Sequence, residues 1–355
     1  MQKPHAPLPV RPLGYAPMHP FRKRILFLLC PLWFIIACKP GNPVSFSFKK
    51  GDLLMFIADR WNDYEVLDSS SGEKLERWGN YILLRPDPQV IWNTPKKISE
   101  WKKLNAHYHR SNKGGGEWEF FDLPKQWQIR YTLPFPDGTL FFNLKPFSFK
   151  HTGLFPEQAA NWDWFSKLIQ EETFQRMQAG ISEKIKVLNL FAYTGGATIA
   201  SAKAGAHVTH VDASKGMVQW AKENAKDSSV PEENTRWLVD DCKKFVEREI
   251  RRGNLYDAII MDPPSYGRGP KGEIWKMEDS IFELLRLCSQ ILKKDALFFL
   301  LNSYTTGLQP GVLKYLLESV IQPGRGGSVS AEEVGLPVSA SGSILPCGCA
   351  GRWQR

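Results

Sequence analysis

The chain has 355 residues, 43% hydrophobic and 23% charged, with a formal net charge of +9, which suits a soluble globular protein of about two domains. The excess of base is local: residues 1–54 hold eight bases against one acid, and the remaining 301 residues hold 38 bases against 36 acids, so net charge gives no argument for a polyanionic partner. The six cysteines (30, 38, 242, 288, 347 and 349) lack zinc-finger or disulfide-framework spacing, and no His lies near the C-x-C pair at 347 and 349, which fits reduced thiols in a cytosolic enzyme and no bound metal.

Residues 21–38, FRKRILFLLCPLWFIIAC, place a basic triplet before an apolar run that ends in Ala-Cys, the grammar of an export signal. The run is too short to span a bilayer and is interrupted by Pro31. Residues 1–54 are therefore read as an extension ahead of a working start at Met55, with a cytoplasmic protein and no membrane association of the mature domain expected. A genuine signal, the alternative, would export it.

From 55 to 150 the sequence is aromatic and turn-rich, with RWGNYILLRPDPQVIW, GEWEFFDLPKQWQIRYTLPF and GTLFFNLKPFSF as strand-like runs. The PDG at 136–138 predicts a turn between two strands. A small mainly β domain is expected here. Eight of the thirteen tryptophans fall between Trp61 and Trp164, where they serve as core; a stacking platform for bases is the alternative.

Residues 151–355 read as an α/β domain. After a segment that turns helical near Pro156, apolar runs at 185–191, 207–212, 235–239, 257–261 and 296–302 alternate with amphipathic stretches such as CKKFVEREI, where Cys242, Phe245, Val246 and Ile250 share one face. Such alternation predicts a doubly wound parallel sheet that binds ligands beyond the carboxyl ends of its strands. The Gly- and Ser-rich segment 323–355 is expected to add a terminal antiparallel strand or hairpin.

Four features fall at successive strand ends. In FAYTGGAT, Gly195 and Gly196 let the backbone turn tightly and approach a ligand, or form an ordinary strand-to-helix turn; G-x-G-x-x-G is absent. Asp212 closes HVTHVD, where an acid can accept hydrogen bonds from both hydroxyls of a ribose or cap the next helix. Asp240 and Asp241 in WLVDDCKKF can cap a helix with one carboxylate and accept from an adenine amino group with the other. These three describe adenosine without a pyrophosphate, which points to S-adenosylmethionine. The fourth is AIIMDPPSYGRGPKGEIW, where Asp262 is held by the stiff Pro263-Pro264 turn, a suitable place to align a nucleophile and take its proton.

With VLNLFAYTGGAT, VDASKGMVQWAKENA, VDDCKKF, YDAIIMDPPSYGRG and the upstream TGLFPEQ at 152–158, the chain resembles the class I S-adenosylmethionine-dependent methyltransferases, nearest the group related to the bacterial 23S rRNA cytosine-C5 enzymes. The likeness covers roughly residues 130–305, with Glu157 where that group has Asp. It implies a Rossmann-like sheet. It further implies cosubstrate contacts at Phe191, Tyr193, Thr194, Gly195, Gly196, Asp212, Ala213, Asp241 and Cys242, and Asp262 beside the reactive methyl.

That group attacks the pyrimidine ring with a cysteine after the fifth strand. The corresponding stretch here, LFFLLNSYTTGLQP, offers Asn302, Ser303 and Tyr304 but no cysteine, and Cys288 sits on an apolar helical face. The expectation is thus an RNA-directed enzyme, in the rRNA class, that transfers methyl directly to nitrogen or oxygen. Tyr266, Pro263 and Pro264 would orient the acceptor; Arg268, Lys271, Asn302 and Tyr304 would meet substrate, although YGRGPKG also reads as a solvated loop. A small-molecule or protein methyltransferase, or a non-catalytic binding module, are the alternatives.

Overall fold

The computed structural model describes residues 55–111, 115–147, 150–268 and 274–355. The extension 1–54 with its signal-like segment, Cys30 and Cys38, and also Lys271, lie outside the described residues. Among the described residues no helix is long and apolar enough to cross a membrane.

The first stretch is built of strands, as its aromatic, turn-punctuated sequence predicts. After β1 (Met55–Ile57), the strands β2 (Tyr64–Ser70), β3 (Glu73–Trp78), β4 (Tyr81–Pro86), β5 (Ala106–Arg110) and β6 (Gly116–Phe120) form a five-stranded sheet in chain order. A separate hairpin pairs β7 (Trp127–Thr132) with β8 (Thr139–Leu144) across the predicted turn, where Asp137 takes φ +59°. In β7, Trp127, Ile129 and Tyr131 are buried while Gln128, Arg130 and Thr132 are exposed, the period-two pattern of a strand with one covered face. Trp78, Trp127 and Trp162 all lie in the core.

The rest alternates helix and strand. It runs α1 (Ala159–Gln178), β9 (Lys186–Leu190), α2 (Gly196–Lys203), β10 (His207–Asp212), α3 (Lys215–Asp227), β11 (Thr235–Val239), α4 (Cys242–Arg252) and β12 (Ala258–Met261). A short ribbon of β13 (Tyr266–Arg268) and β14 (Ile274–Lys276) then leads into α5 (Met277–Ile291), β15 (Phe298–Ser303), α6 (Pro310–Val320), β16 (Ser328–Pro337) and β17 (Ile344–Gln354). The eight-stranded sheet has the order β1-β16-β17-β15-β12-β9-β10-β11. Its centre is parallel, and β17 runs antiparallel between β15 and β16, so the expected terminal hairpin is present. Every residue of β12 is buried, because helices cover both faces of a parallel sheet and leave no wet side for alternation.

Strand order reverses between β9 and β12, which opens a crevice at their carboxyl ends. The strand-rich part and the large sheet share one buried core in which Tyr64, Trp78 and Phe142 join Val187, Phe298 and Val334. Several ties cross residue 150: β1 pairs with β16, and the backbone N–H groups of Phe141 and Asn143 donate to Ser228 Oγ (2.9 Å) and Asn224 Oδ1 (2.8 Å) on and beside α3.

Candidate active site

The turn after β9 is compressed. Phe191 (φ +57°), Tyr193 (φ +50°) and Gly195 (φ +88°) all occupy the left-handed region before α2 begins. A Cβ on Gly195 would stand 2.9 Å from Ala221 Cβ, and one on Gly196 would stand 2.8 Å from the Trp162 ring, so packing requires both glycines and φ requires Gly195 as well. The turn is pinned from outside: Thr194 Oγ1 donates to Gly153 O (2.6 Å), and Asn224 Nδ2 donates to Thr194 O (3.0 Å). Backbone strain held in place this way is characteristic of a ligand clamp.

Asp212 ends β10 and is wired into that turn. Its Oδ2 accepts from Tyr193 N (2.8 Å) and its Oδ1 from Ser214 N (2.8 Å). The cap of α3 is Ser214, whose Oγ accepts from Met217 N (3.4 Å), so Asp212 is spared that role. Each carboxylate oxygen keeps a further acceptor site, which suits the paired hydroxyls of a ribose. Burial raises its carboxyl above the usual range, offset by the two backbone donors. Exposed Ala213 follows at the rim.

At the end of β11 the two acids divide their work. Asp241 caps α4, with Oδ1 accepting from Lys244 N (2.9 Å), while Asp240 pairs with Arg248. Asp241 is solvent-facing. Cys242 turns its thiol inward, where it accepts from Phe191 N (3.3 Å) and is core; only its backbone is left for a ligand.

At the end of β12, Asp262 lines a small inner cavity of about 50 Å³ together with Phe155, Gln158, Tyr193 and Asn302. Its Oδ1 is enclosed and unpartnered, as is the Tyr193 hydroxyl. Burial first, and the neighbouring charge of Glu157 second, push the Asp262 carboxyl up to about 7; Asn302 pulls the other way. A polar network lies behind it. Asn302 Nδ2 donates to Gln158 Oε1 (2.9 Å), Asn161 Nδ2 donates to Asn302 Oδ1 (3.1 Å), Gln158 Nε2 donates to the Tyr304 hydroxyl (2.7 Å), and that hydroxyl donates to Glu157 Oε1 (3.1 Å). Arg352 anchors the set with two bonds to Asn161 Oδ1 (2.9 and 2.7 Å).

The structure therefore brings together the glycine turn, Asp212, Asp262, Asn302 and Tyr304. Asn302 and Tyr304, expected to meet substrate, direct their polar atoms into this network. Pro263 is buried and Pro264 exposed; the Pro264 carbonyl accepts from Trp275 Nε1 (2.7 Å). Tyr266 is half-exposed on the ribbon, and Arg268 ends β13. Two contributions escaped the sequence reading. Glu157 and Gln158 sit in a motif noted only for its likeness, with Asn161 three residues past it, and Trp275 packs tilted against Phe191 (ring centroids 5.2 Å apart) to tie the ribbon to the floor of the site.

A Rossmann-like sheet with an acid at the tip of its second strand, a glycine turn too tight for a side chain and a part-buried carboxyl at its fourth strand is the layout of an α/β fold that takes its ligand beyond the carboxyl ends of the strands. Residues 165–303 match the sequence family described as "Conserved hypothetical protein 95". A solved SAM-dependent methyltransferase from Agrobacterium tumefaciens is 33% identical, with TM-score 0.73, over 84% of this chain and 93% of that one. The ribosomal RNA large subunit methyltransferases K/L of Legionella pneumophila (strain Lens) and Allochromatium vinosum are 25% and 27% identical over 75% and 52% of this chain, but over only 35% and 21% of their own lengths. The chain thus spans about a third or less of these curated relatives. It belongs to the S-adenosylmethionine-dependent methyltransferases.

Proposed function

We propose that the chain methylates RNA, in the ribosomal class, by direct transfer to a nitrogen or oxygen with Asp262 as proton acceptor. The observation that carries the chemistry is the unpartnered, enclosed Asp262 Oδ1, raised to about 7 by burial and by Glu157. The RNA assignment is supported by the likeness to the two ribosomal RNA methyltransferases.

The residues present fit S-adenosylmethionine: a side-chain-free turn at Gly195 and Gly196, spare acceptor sites on Asp212 and Asp241, and a cavity whose lining includes Asp262. When bound, it supplies an electrophilic methyl carbon on a positively charged sulfur. Asp212 would hold the ribose, Asp241 the adenine amino group, and the turn of Phe191, Tyr193 and Thr194 the amino-acid portion.

An acceptor N–H or O–H beside Asp262 Oδ1 donates a hydrogen bond there, which raises the nucleophilicity of the heavy atom and gives the proton a destination. Asn302 hydrogen-bonds the carboxyl and is itself held by Gln158, while Pro263 and Pro264 restrict the backbone that carries it. Cys288 is fully buried in α5, β15 itself holds no cysteine, and among the described residues no cysteine, Cys347 and Cys349 included, lines this cavity, so an adduct through cysteine has no nucleophile there. Arg268 at the end of β13, with Lys271, would contact phosphate, and Tyr266 would help orient the base.

Incubation with methyl-tritiated S-adenosylmethionine and total cell extract, followed by nuclease or protease, tests the acceptor class. Label released by nuclease and retained after protease is expected. Label that only protease releases would favour a protein substrate, and no label in any macromolecule would end the RNA reading.

A further inference from the structure

We propose that His107, His109 and Glu119, supported by Glu73, form a binding site for a divalent transition-metal ion of the zinc type on the outer five-stranded sheet, apart from the methyl-transfer site. Among the described residues this is the group in which three or more His, Cys, Asp or Glu donors gather: a ring nitrogen from each histidine and a carboxylate oxygen of Glu119 lie within 4.8 Å of one another. A tetrahedral ion with bonds of about 2.0–2.1 Å needs its ligand atoms roughly 3.3 Å apart, so a small rotation of half-exposed side chains closes the set.

Strand geometry does the positioning. In H-Y-H on β5, Tyr108 points into the core, where it is buried and packs on Trp118 (5.4 Å), so His107 and His109 stand on the opposite face. Their rings lie 3.9 Å apart. Across the ladder β6 places Glu119 opposite His107, and its Oε2 reaches His109 Nε2 at 2.8 Å. Glu73 at the start of β3 approaches His107 Nε2 at 2.8 Å, and Lys96 holds the other oxygen of Glu73 (3.2 Å). A histidine that turns one nitrogen to a carboxylate and the other to a metal is the usual arrangement of outer-shell support.

Two imidazoles with one or two carboxylates select zinc and its neighbours over magnesium or calcium, which prefer oxygen alone. The bound ion would clamp β6, the last strand of that sheet, to β5 and through Glu73 to β3. Cysteine spacing carries no signal for such a site, whose pattern is a single H-x-H on a strand and an acid ten residues after its second histidine.

The test is zinc titration of the full chain after chelator treatment and gel filtration, followed by calorimetry and, with Co²⁺, by visible ligand-field absorption. One ion per chain is expected. His109→Ala and Glu119→Gln, both at half-exposed positions, should each weaken binding about tenfold or more; Cys347→Ser and Cys349→Ser should leave it unchanged. In the parent chain Zn²⁺ should protect His107 and His109 from diethylpyrocarbonate. The proposal is overturned if no saturation occurs below about 100 μM, if binding survives the His107→Ala/His109→Ala double substitution, or if the two histidines stay reactive with Zn²⁺ present.

Discussion

Replacing Glu157 by Gln probes the proton acceptor through its neighbour. Asp262 sits at about 7, raised first by burial and then by the charge of Glu157. A carboxyl with that value is ionised to roughly 90% at pH 8, half at pH 7 and roughly 9% at pH 6, so a reaction that needs the ionised form slows about tenfold from pH 8 to pH 6. Glu157→Gln removes the like charge, preserves an acceptor for the Tyr304 hydroxyl and leaves burial in place. Asp262 then falls toward, but stays above, the ordinary carboxylate range; a drop of about one unit raises the ionised fraction at pH 6 to half. The methylation rate should rise about fivefold at pH 6 and change little at pH 8. Single-turnover assays with saturating S-adenosylmethionine from pH 5.5 to 8.5 measure this directly. A limb that stays where it was, or a rate altered by the same factor at every pH, would refute Asp262 as the titrating group.

Further outcomes follow from the same geometry. Asp262→Asn should abolish turnover while cosubstrate still binds in equilibrium dialysis; lost binding with it would leave Asp262 only a structural role. The same change should stabilise the fold at high pH: the folded value of about 7 lies above the unfolded one, so this group's stability is full below about pH 4 and lost as pH rises to 7, by up to about 4 kcal/mol. Its melting temperature should therefore exceed the parent's at pH 8 and match it near pH 4. Asp212→Ala should weaken S-adenosylmethionine about 10- to 100-fold, from the lost charge-assisted bonds to the ribose, and an unchanged dissociation constant would sink that assignment. Gly196→Ala forces a Cβ to 2.8 Å from the Trp162 ring and should cost about 1–3 kcal/mol in denaturant unfolding.

The parallel strands β9, β10, β11, β12 and β15 were legible because each is an apolar run, and β10, β11 and β12 close on an acid. The roles of Asp212 and Asp241 were half legible. An Asp after a strand reads equally as cap or ligand, and only the fold separates them: Ser214 takes the cap of α3, while Asp241 itself caps α4. Cys242 belonged to a matching motif, yet its thiol faces the core because the same helix position that starts α4 also packs beneath Phe191.

By itself the sequence determined the strand runs, the glycine turn and the D-P-P corner, since these depend on residues within a few positions of one another. Tertiary structure alone decided what surrounds them. Gln158 and Tyr304 meet across 146 residues, and Asn161 and Arg352 across 191. Trp275 folds back on Phe191, and the carboxyl of Asp262 is raised by burial among these groups and by the charge of Glu157. Burial and long-range pairing carry no local period, so no motif announces them, and they set the charge state on which the proposed chemistry depends.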